Sequence, residues 1–89
     1  MTTFKRDFEF NEDILEVIAE NVRKYRKEQN ITQEQLAVDI GMSYDYLRRF
    51  ESQGGKEGLS LIKLYKISVV LNVPINKFFE NTKQECDKN

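Results

Sequence analysis

The sequence feature that most constrains the fold is the segment TQEQLAVDIGMSYDYLRRFES, residues 32–52. Thr32 followed by Gln35 has the pattern of a capping box, which predicts that a helix begins there. Gly41 predicts the end of that helix, because glycine readily adopts the left-handed conformation that closes many helices. Ser43 then predicts the N-cap of a second helix. The segment therefore folds as two short helices joined by a bend of three or four residues.

A longer amphipathic helix is predicted before this segment, from about residue 12 to residue 29. Asn11 is its predicted N-cap, and Asn30, which tolerates the left-handed conformation, is its predicted end. Its apolar residues recur at spacings of three and four: Ile14, Leu15, Ile18, Val22 and Tyr25. Residues 1–11 are predicted to form an arm or a short strand. That arm contains Phe4, Phe8 and Phe10.

Two further helices are predicted after the segment. The loop QGGKEG, residues 53–58, precedes them, since three glycines in six residues disfavour a helix. Ser60 is the predicted N-cap of the fourth helix and Asn72 its end. Pro74 is predicted at or near the start of a short fifth helix that ends at Phe79. The fourth helix has a broad predicted apolar face made of Leu61, Leu64, Tyr65, Ile67, Ser68 and Leu71.

Length and composition limit these helices to one domain. The chain has 89 residues, which leave no room for a second core, and 39% apolar residues are enough for one small core. The predicted fold is all-α, with a five-helix domain over residues 12–79 between the arm at 1–11 and a frayed polar tail at 80–89.

Several functional classes have no support in the sequence. There is no His, and the lone Cys86 makes neither an internal disulfide nor a metal cluster, which predicts a reducing, cytoplasmic location. No apolar run approaches the ~18 residues that a membrane span needs. The loop QGGKEG lacks the Ser or Thr that follows Gly-Lys in a phosphate-binding loop. We therefore expect no enzyme, no cofactor, no metal, no membrane association and no small-molecule ligand.

Charge is distributed unevenly along a chain whose formal net charge is −1. Residues 7–20 contain six acidic residues and no basic one, whereas residues 23–27 read RKYRK. This basic run either attracts phosphates or forms the solvated side of the first helix. Arg48 and Arg49 are a second basic pair. A basic face on a nearly neutral protein is compatible with nucleic-acid binding.

The helix beginning at Ser43 has an outward face suited to reading DNA. With Leu47 and Phe50 directed into the core, a turn of roughly 100° per residue places four other side chains outward. These are Asp45, Arg48, Arg49 and Ser52, with Tyr44 at the N-terminal edge. Such side chains donate and accept hydrogen bonds in a major groove. Two helices joined by a tight bend, with this face on the second, have the layout of a helix-turn-helix.

The sequence resembles the phage-repressor-like helix-turn-helix family, which includes the Cro and CI repressors and restriction–modification controller proteins. The resemblance runs from about Ile18 to Phe79. It rests on three segments: IAENVRKYRKEQNITQEQLA, IGMSYDYLRRFE and SLIKLYKISVVLNVPINKFF. It implies a five-helix transcriptional regulator that binds double-stranded DNA and reads it with the third helix. The loop after that helix is about two residues longer than the family pattern, and Asn72 stands where glycine is common.

The resemblance also implies roles for individual residues. The base-reading residues are Tyr44, Asp45, Arg48 and Arg49, with Arg49 the best candidate for a guanine. Phosphate contacts are assigned to Gln33, Ser43, Ser52 and Lys56. Arg26 and Glu51 match a salt bridge between the first and third helices. Related small regulators often pair through their last helices, which implies a homodimer interface at Ile75, Phe78 and Phe79.

Each of these interpretations has an alternative. Asp45 either accepts a hydrogen bond from a cytosine or holds Arg49 in an ion pair. Arg48 and Arg49 either contact bases or form a solvated face. The arm at residues 1–11 is an alternative dimer interface. The whole domain is alternatively a protein-interaction module, or an antitoxin, that uses the same fold with weak or no independent DNA binding.

Overall fold

The computed structural model describes residues 14–80. Within that range the chain forms four α-helices: α1 (Ile14–Glu28), α2 (Gln33–Ile40), α3 (Tyr44–Ser52) and α4 (Leu61–Leu71). A 3-10 helix, Ile75–Phe79, follows α4. The predicted arm, its phenylalanines, the Asn11 cap, and the tail from residue 81 with Cys86 lie outside the described residues.

The predicted helix starts are confirmed in α2, α3 and α4. Thr32 and Gln35 form both hydrogen bonds of the capping box at the start of α2. Ser43 and Ser60 cap α3 and α4, and each side-chain oxygen accepts a hydrogen bond from the backbone N–H three residues later. Each cap satisfies a backbone donor that the first helical turn leaves unpaired.

The predicted helix ends are confirmed as well. Gly41 closes α2 with φ 71°. Asn30 and Asn72 are the only residues other than glycine with positive φ between residues 14 and 80, at 59° and 57°. Asparagine tolerates this conformation because its short polar side chain bonds locally. Asn72 thus fulfils the role that glycine has at this position in the family pattern.

The core lies between all five helices. α2 packs against α3 and α4, while α1 packs against α3 and the 3-10 helix. The largest fully buried side chains are Val22, Leu36, Ile40, Leu47, Phe50, Ile67, Leu71 and Phe78. No helix in the described range is long and apolar enough to cross a membrane.

The fifth helix is a 3-10 helix, tighter than an α-helix. The Lys77 N–H donates to the Pro74 carbonyl oxygen at 2.9 Å, an i to i+3 bond. The buried amide of Asn21 on α1 donates to the carbonyl oxygens of Phe78, at 2.8 Å, and Glu80, at 2.9 Å. α1 thus supplies the donor for carbonyl oxygens that the end of the 3-10 helix leaves without a helical partner.

The predicted apolar face of α4 is only partly buried. Leu64, Ile67, Ser68 and Leu71 enter the core as expected. Two other residues of that face remain exposed, Leu61 at 75% and Tyr65 at 55%. Residues 61 and 65 are one turn apart on a side of α4 that the other helices leave more than half exposed. The helix therefore has a second apolar face directed at solvent.

The loop between α3 and α4 is packed tightly against α1. The Gly55 N–H donates to the Phe50 carbonyl oxygen at 2.9 Å, and Gly55 has φ 77°. A Cβ atom at Gly55 would lie 2.3 Å from the carbonyl oxygen of Leu15, a backbone atom that cannot move aside cheaply. Gly58 also has positive φ, 82°, but a Cβ there would meet nothing within 4 Å.

We expect Gly55→Ala to destabilise the fold more than Gly58→Ala. Both substitutions put alanine in the left-handed region, at a cost of roughly 1–2 kcal/mol. Only Gly55→Ala adds the clash with Leu15, which brings about 1–3 kcal/mol more. Urea unfolding of the two variants measures the difference, and equal losses would show that the loop yields at Gly55.

Candidate nucleic-acid interface

α3 turns one face to the core and the other to solvent. Leu47 and Phe50 are fully buried. The residues predicted to face outward do so: Tyr44, Asp45, Arg48 and Ser52 are exposed, and Arg49 is half-buried. The structure thus brings all four predicted base-reading side chains to one surface.

Asp45 holds both arginines of that surface. Its Oδ1 accepts from Arg48 Nη2 at 2.5 Å, and its Oδ2 accepts from Arg49 Nε at 3.1 Å. The hydrogen bond from Arg48 lowers the pKa of the Asp45 carboxyl below its ordinary value, and Asp45 raises the pKa of Arg48. Asp45 therefore remains a carboxylate at neutral pH. Each of the two carboxylate oxygens of Asp45 thus accepts a hydrogen bond from one arginine, which is the ion-pair alternative for this residue.

Arg49 has a second carboxylate partner, which sequence reasoning missed. Its Nη1 donates to Oε2 of Glu57 at 3.0 Å. Glu57 belongs to the loop after α3, eight residues along the chain. The hydroxyl of Tyr46 is directed at the carbonyl oxygens of Glu57 and Gly58, at 2.9 and 3.0 Å, and so ties this loop to α3.

The structure brings Arg26 and Glu51 together in a buried ion pair. Arg26 Nε and Nη2 donate to the two oxygens of Glu51 at 2.9 and 2.8 Å. Arg26 Nη1 donates to the carbonyl oxygen of Ile31 at 2.9 Å, and Gln33 Nε2 donates to Glu51 Oε1 at 2.9 Å. One carboxylate on α3 thus receives donors from α1 and α2. The paired side chains are only 9% and 3% exposed.

An open cleft of about 420 Å³ lies beside this pair. Two of the four residues assigned to phosphates, Gln33 and Ser52, line it. Arg23 and Lys27, from the basic run on α1, line it too, so the cleft combines cationic side chains with the first residue of α2. The N–H groups at a helix start and nearby cations both favour anions.

The other two residues assigned to phosphates lie elsewhere. Ser43 is exposed, and its oxygen accepts from the Tyr46 N–H at 3.0 Å, which leaves its hydroxyl proton available to an acceptor. Lys56 is exposed in the loop after α3. Lys63 on α4 supports the bend next to Ser43, because its Nζ donates to the carbonyl oxygens of Ile40, at 3.2 Å, and Gly41, at 2.9 Å.

The predicted dimer residues divide into three environments. Phe78 is fully buried and packs edge-on against Tyr25, with ring centroids 5.5 Å apart. It is a core residue, so its assignment to the dimer surface is corrected: the inward side of the 3-10 helix leaves it no access to a partner. Ile75 is half-buried, and Phe79 is 45% exposed.

Comparison with known proteins identifies the family. Residues 22–78 match the model of the HTH_3 family, described as helix-turn-helix. The chain belongs to this family. It is a helix-turn-helix transcriptional regulator of the Cro/CI type, a class that binds DNA and is not enzymatic.

Relatives of this helix-turn-helix regulator include control protein C.SmaI from Serratia marcescens. The two sequences are 37% identical over 65 residues, which cover 73% of this chain and 75% of that protein. The N-terminal DNA-binding domain of SinR from Bacillus subtilis superposes with a TM-score of 0.65 at 28% identity, covering 73% of this chain and 93% of that one. SinR is also known in a crystal structure in complex with DNA, with a TM-score of 0.64, covering 71% and 98%. The restriction–modification controller C.AhdI from Aeromonas hydrophila has a TM-score of 0.65 at 25% identity, covering 73% and 96%.

We expect Glu51→Ala to destabilise the regulator by about 3–5 kcal/mol, because the substitution leaves the guanidinium of Arg26 buried without its counter-charge. Thermal melting measures the loss. Glu80→Ala is the matched control, since its ion pair with Lys77 spans 3.6 Å between side chains that are 41% and 46% exposed. Such a pair contributes less than about 1 kcal/mol. Equal melting curves for Glu51→Ala and the parent would contradict a structural role for the pair.

Proposed function

We propose that the regulator binds an inverted-repeat operator as a homodimer and inserts α3 into the major groove of each half-site. The observation that carries the proposal is the fixed outward face of α3, where Asp45, Arg48 and Arg49 lie beside a cationic cleft. The Arg26–Glu51 pair beneath α3 holds this face at a defined angle. The expected place of action is the cytoplasm.

Base reading is assigned to the exposed side of α3. Arg49 uses one donor on Nε and one on Nη1 for its two carboxylate partners. Arginine has five N–H donors, so three remain, including both on Nη2. A guanine accepts two hydrogen bonds at O6 and N7, which these donors can supply. Tyr44 and Arg48 flank Arg49 and extend the reading surface by one turn.

Phosphate binding is assigned to the cleft and to the helix starts. Gln33 and Ser52 are joined in the cleft by Arg23 and Lys27, which supply positive charge. Ser43 offers its hydroxyl proton at the start of α3, and the exposed Lys56 extends the surface along the backbone. These contacts would position the protein without distinguishing sequences, since phosphates are common to all DNA.

Dimerisation is assigned to the exposed apolar face of α4 and to Ile75 and Phe79 of the 3-10 helix. One reading helix covers only a few base pairs, too few to select an operator without a second copy. Leu61, Ile62, Tyr65 and Val69 are each more than half exposed. The first three of them form an apolar cavity with Ile75. Phe79, 45% exposed in the same 3-10 helix as Ile75, is assigned to this two-fold interface as well, in which the two copies would present the same surface.

We expect Arg49→Ala to lose roughly 1–3 kcal/mol of binding to the preferred operator and to relax selectivity at one base position. Gln33→Ala should weaken binding to all duplexes about equally, because it removes a phosphate contact. Enrichment of duplexes from a random library measures both effects, with thermal melts of each variant as the folding control.

Two results would overturn this assignment. If Arg49→Ala weakened selected and random duplexes alike, Arg49 would not read a base. If the parent protein enriched no duplex at all, the protein-interaction module would become the better account of this surface.

We expect Tyr65→Glu and Phe79→Glu to yield folded monomers with much weaker operator binding, because each puts a carboxylate in the proposed interface. Sedimentation measures the oligomeric state. Val38→Glu is the matched control, since Val38 is 79% exposed on α2 and lines a separate cavity with Glu34 and Asp39, so its substitution should leave the dimer intact. A dimer that survived both interface substitutions would favour the N-terminal residues instead.

The operator can be checked independently by footprinting. Two protected half-sites should have centres one helical turn apart, about 34 Å. Protection of a single unpaired half-site would contradict dimeric binding.

A further inference from the structure

We propose that Glu57 is a positioning residue that sets the base specificity of the regulator through Arg49. This inference rests on the proposed DNA-reading role of α3 and adds a residue of the loop to it. The guanidinium of Arg49 lies between two carboxylates, with Nε 3.1 Å from Asp45 Oδ2 and Nη1 3.0 Å from Glu57 Oε2. The Glu57 side chain is the more sheltered of the two, 27% exposed against 60% for Asp45.

If Asp45 were its only partner, the guanidinium of Arg49 would be held by one hydrogen bond and could rotate about it. Glu57 adds a second attachment on another nitrogen, so the plane of the guanidinium is fixed. A fixed plane matters because the two bonds to a guanine are formed in the plane of the base, with directional geometry. Because the Arg49 side chain is already fixed in the free protein, binding costs it little further conformational entropy. This favours the one base that fits the fixed orientation.

The loop holds Glu57 in place without using its side chain. The hydroxyl of Tyr46 bonds to the backbone of Glu57 and Gly58. The Gly58 N–H donates to the Gly55 carbonyl oxygen at 2.9 Å, and Gly55 is itself packed against α1. Replacing the carboxylate of Glu57 therefore leaves the loop anchored. The effect of such a change can be assigned to the Arg49 contact rather than to a displaced loop.

The two carboxylates also balance the charge of the reading face. Asp45 and Glu57 carry two negative charges against the two positive charges of Arg48 and Arg49. A face without net charge gains little from phosphates alone, and the Glu57 carboxylate repels any phosphate that approaches Arg49. A base that offers two acceptors to the remaining N–H donors is still bound. Glu57 thus weakens binding in which Arg49 would contact a phosphate and keeps binding in which Arg49 contacts the fitting base, which raises the ratio of selected to random affinity.

The test compares Glu57→Gln with the parent on two probes: a random-sequence duplex, and the duplex that the parent enriches most from a random library. Glutamine keeps the length and one acceptor but removes the charge. We expect Glu57→Gln to bind the random duplex roughly two- to fivefold more tightly at low salt. The ratio of selected to random affinity should fall by at least that factor. The melting curve should be unchanged, because the backbone contacts of the loop remain.

Asp39→Asn is the matched control, because it makes the same change in net charge at an exposed residue of α2 to which no DNA or dimer contact is assigned. It should leave the affinity ratio unaltered. A positioning role further predicts that Glu57→Gln changes base preference only where Arg49→Ala does. In the Arg49→Ala background, Glu57→Gln should change no base preference, which is a non-additive result.

Three outcomes would overturn the inference: an affinity ratio for Glu57→Gln equal to that of the parent, an equal change with Asp39→Asn, or an altered base preference that persists in the Arg49→Ala background. The failure of the proposed function is distinguishable from these. If the parent enriches no duplex, both the DNA-reading role and the role of Glu57 are wrong. If the parent enriches a duplex and the ratio is unchanged in Glu57→Gln, only the role of Glu57 is wrong.

Discussion

The buried ion pair between Arg26 and Glu51 is the interaction on which the arrangement of the reading helix depends. Its carboxylate sits at the C-terminal end of α3 and receives donors from α1 and from the first residue of α2. An ion pair on the surface would contribute little. Two charges removed from water are tolerated only when the geometry of the pair is good and their remaining hydrogen bonds are nearly all formed. Because these hydrogen bonds join α3 to α1 and α2, they fix the angle at which α3 lies against the two other helices.

Most of the fold was predictable because its signals are local. The caps at Thr32, Ser43 and Ser60, and the left-handed residues Asn30, Gly41 and Asn72, each depend on a few neighbouring residues. The anchoring of the last helix was not predictable, because the amide that bonds its final carbonyl oxygens belongs to Asn21, more than fifty residues earlier. The exposure of Leu61 and Tyr65 was not predictable for a similar reason. Apolar periodicity indicates which faces are apolar, not which of two apolar faces the rest of the chain covers.

The same distinction applies to the candidate site. The outward residues of α3 follow from the burial of Leu47 and Phe50, so periodicity was sufficient to predict them. Glu57 and Lys63 were not predictable, since one reaches Arg49 across a loop and the other reaches the bend between α2 and α3 from α4. A glutamate in a glycine-rich loop and a lysine in a helix are ordinary solvated residues until the tertiary structure supplies their partners.

The contact of Lys63 with the bend has a consequence for spacing. Its ammonium group ties α4, which carries the uncovered apolar face, to the carbonyl oxygens of Ile40 and Gly41, immediately before α3. If two copies meet through α4, the separation of their reading helices is transmitted through short, rigid contacts rather than through a flexible linker. One inserted base pair lengthens an operator by about 3.4 Å and also rotates one half-site about the DNA axis. A dimer built on this connection would therefore bind operators of one half-site spacing. It would adjust little to the added length or to the rotation.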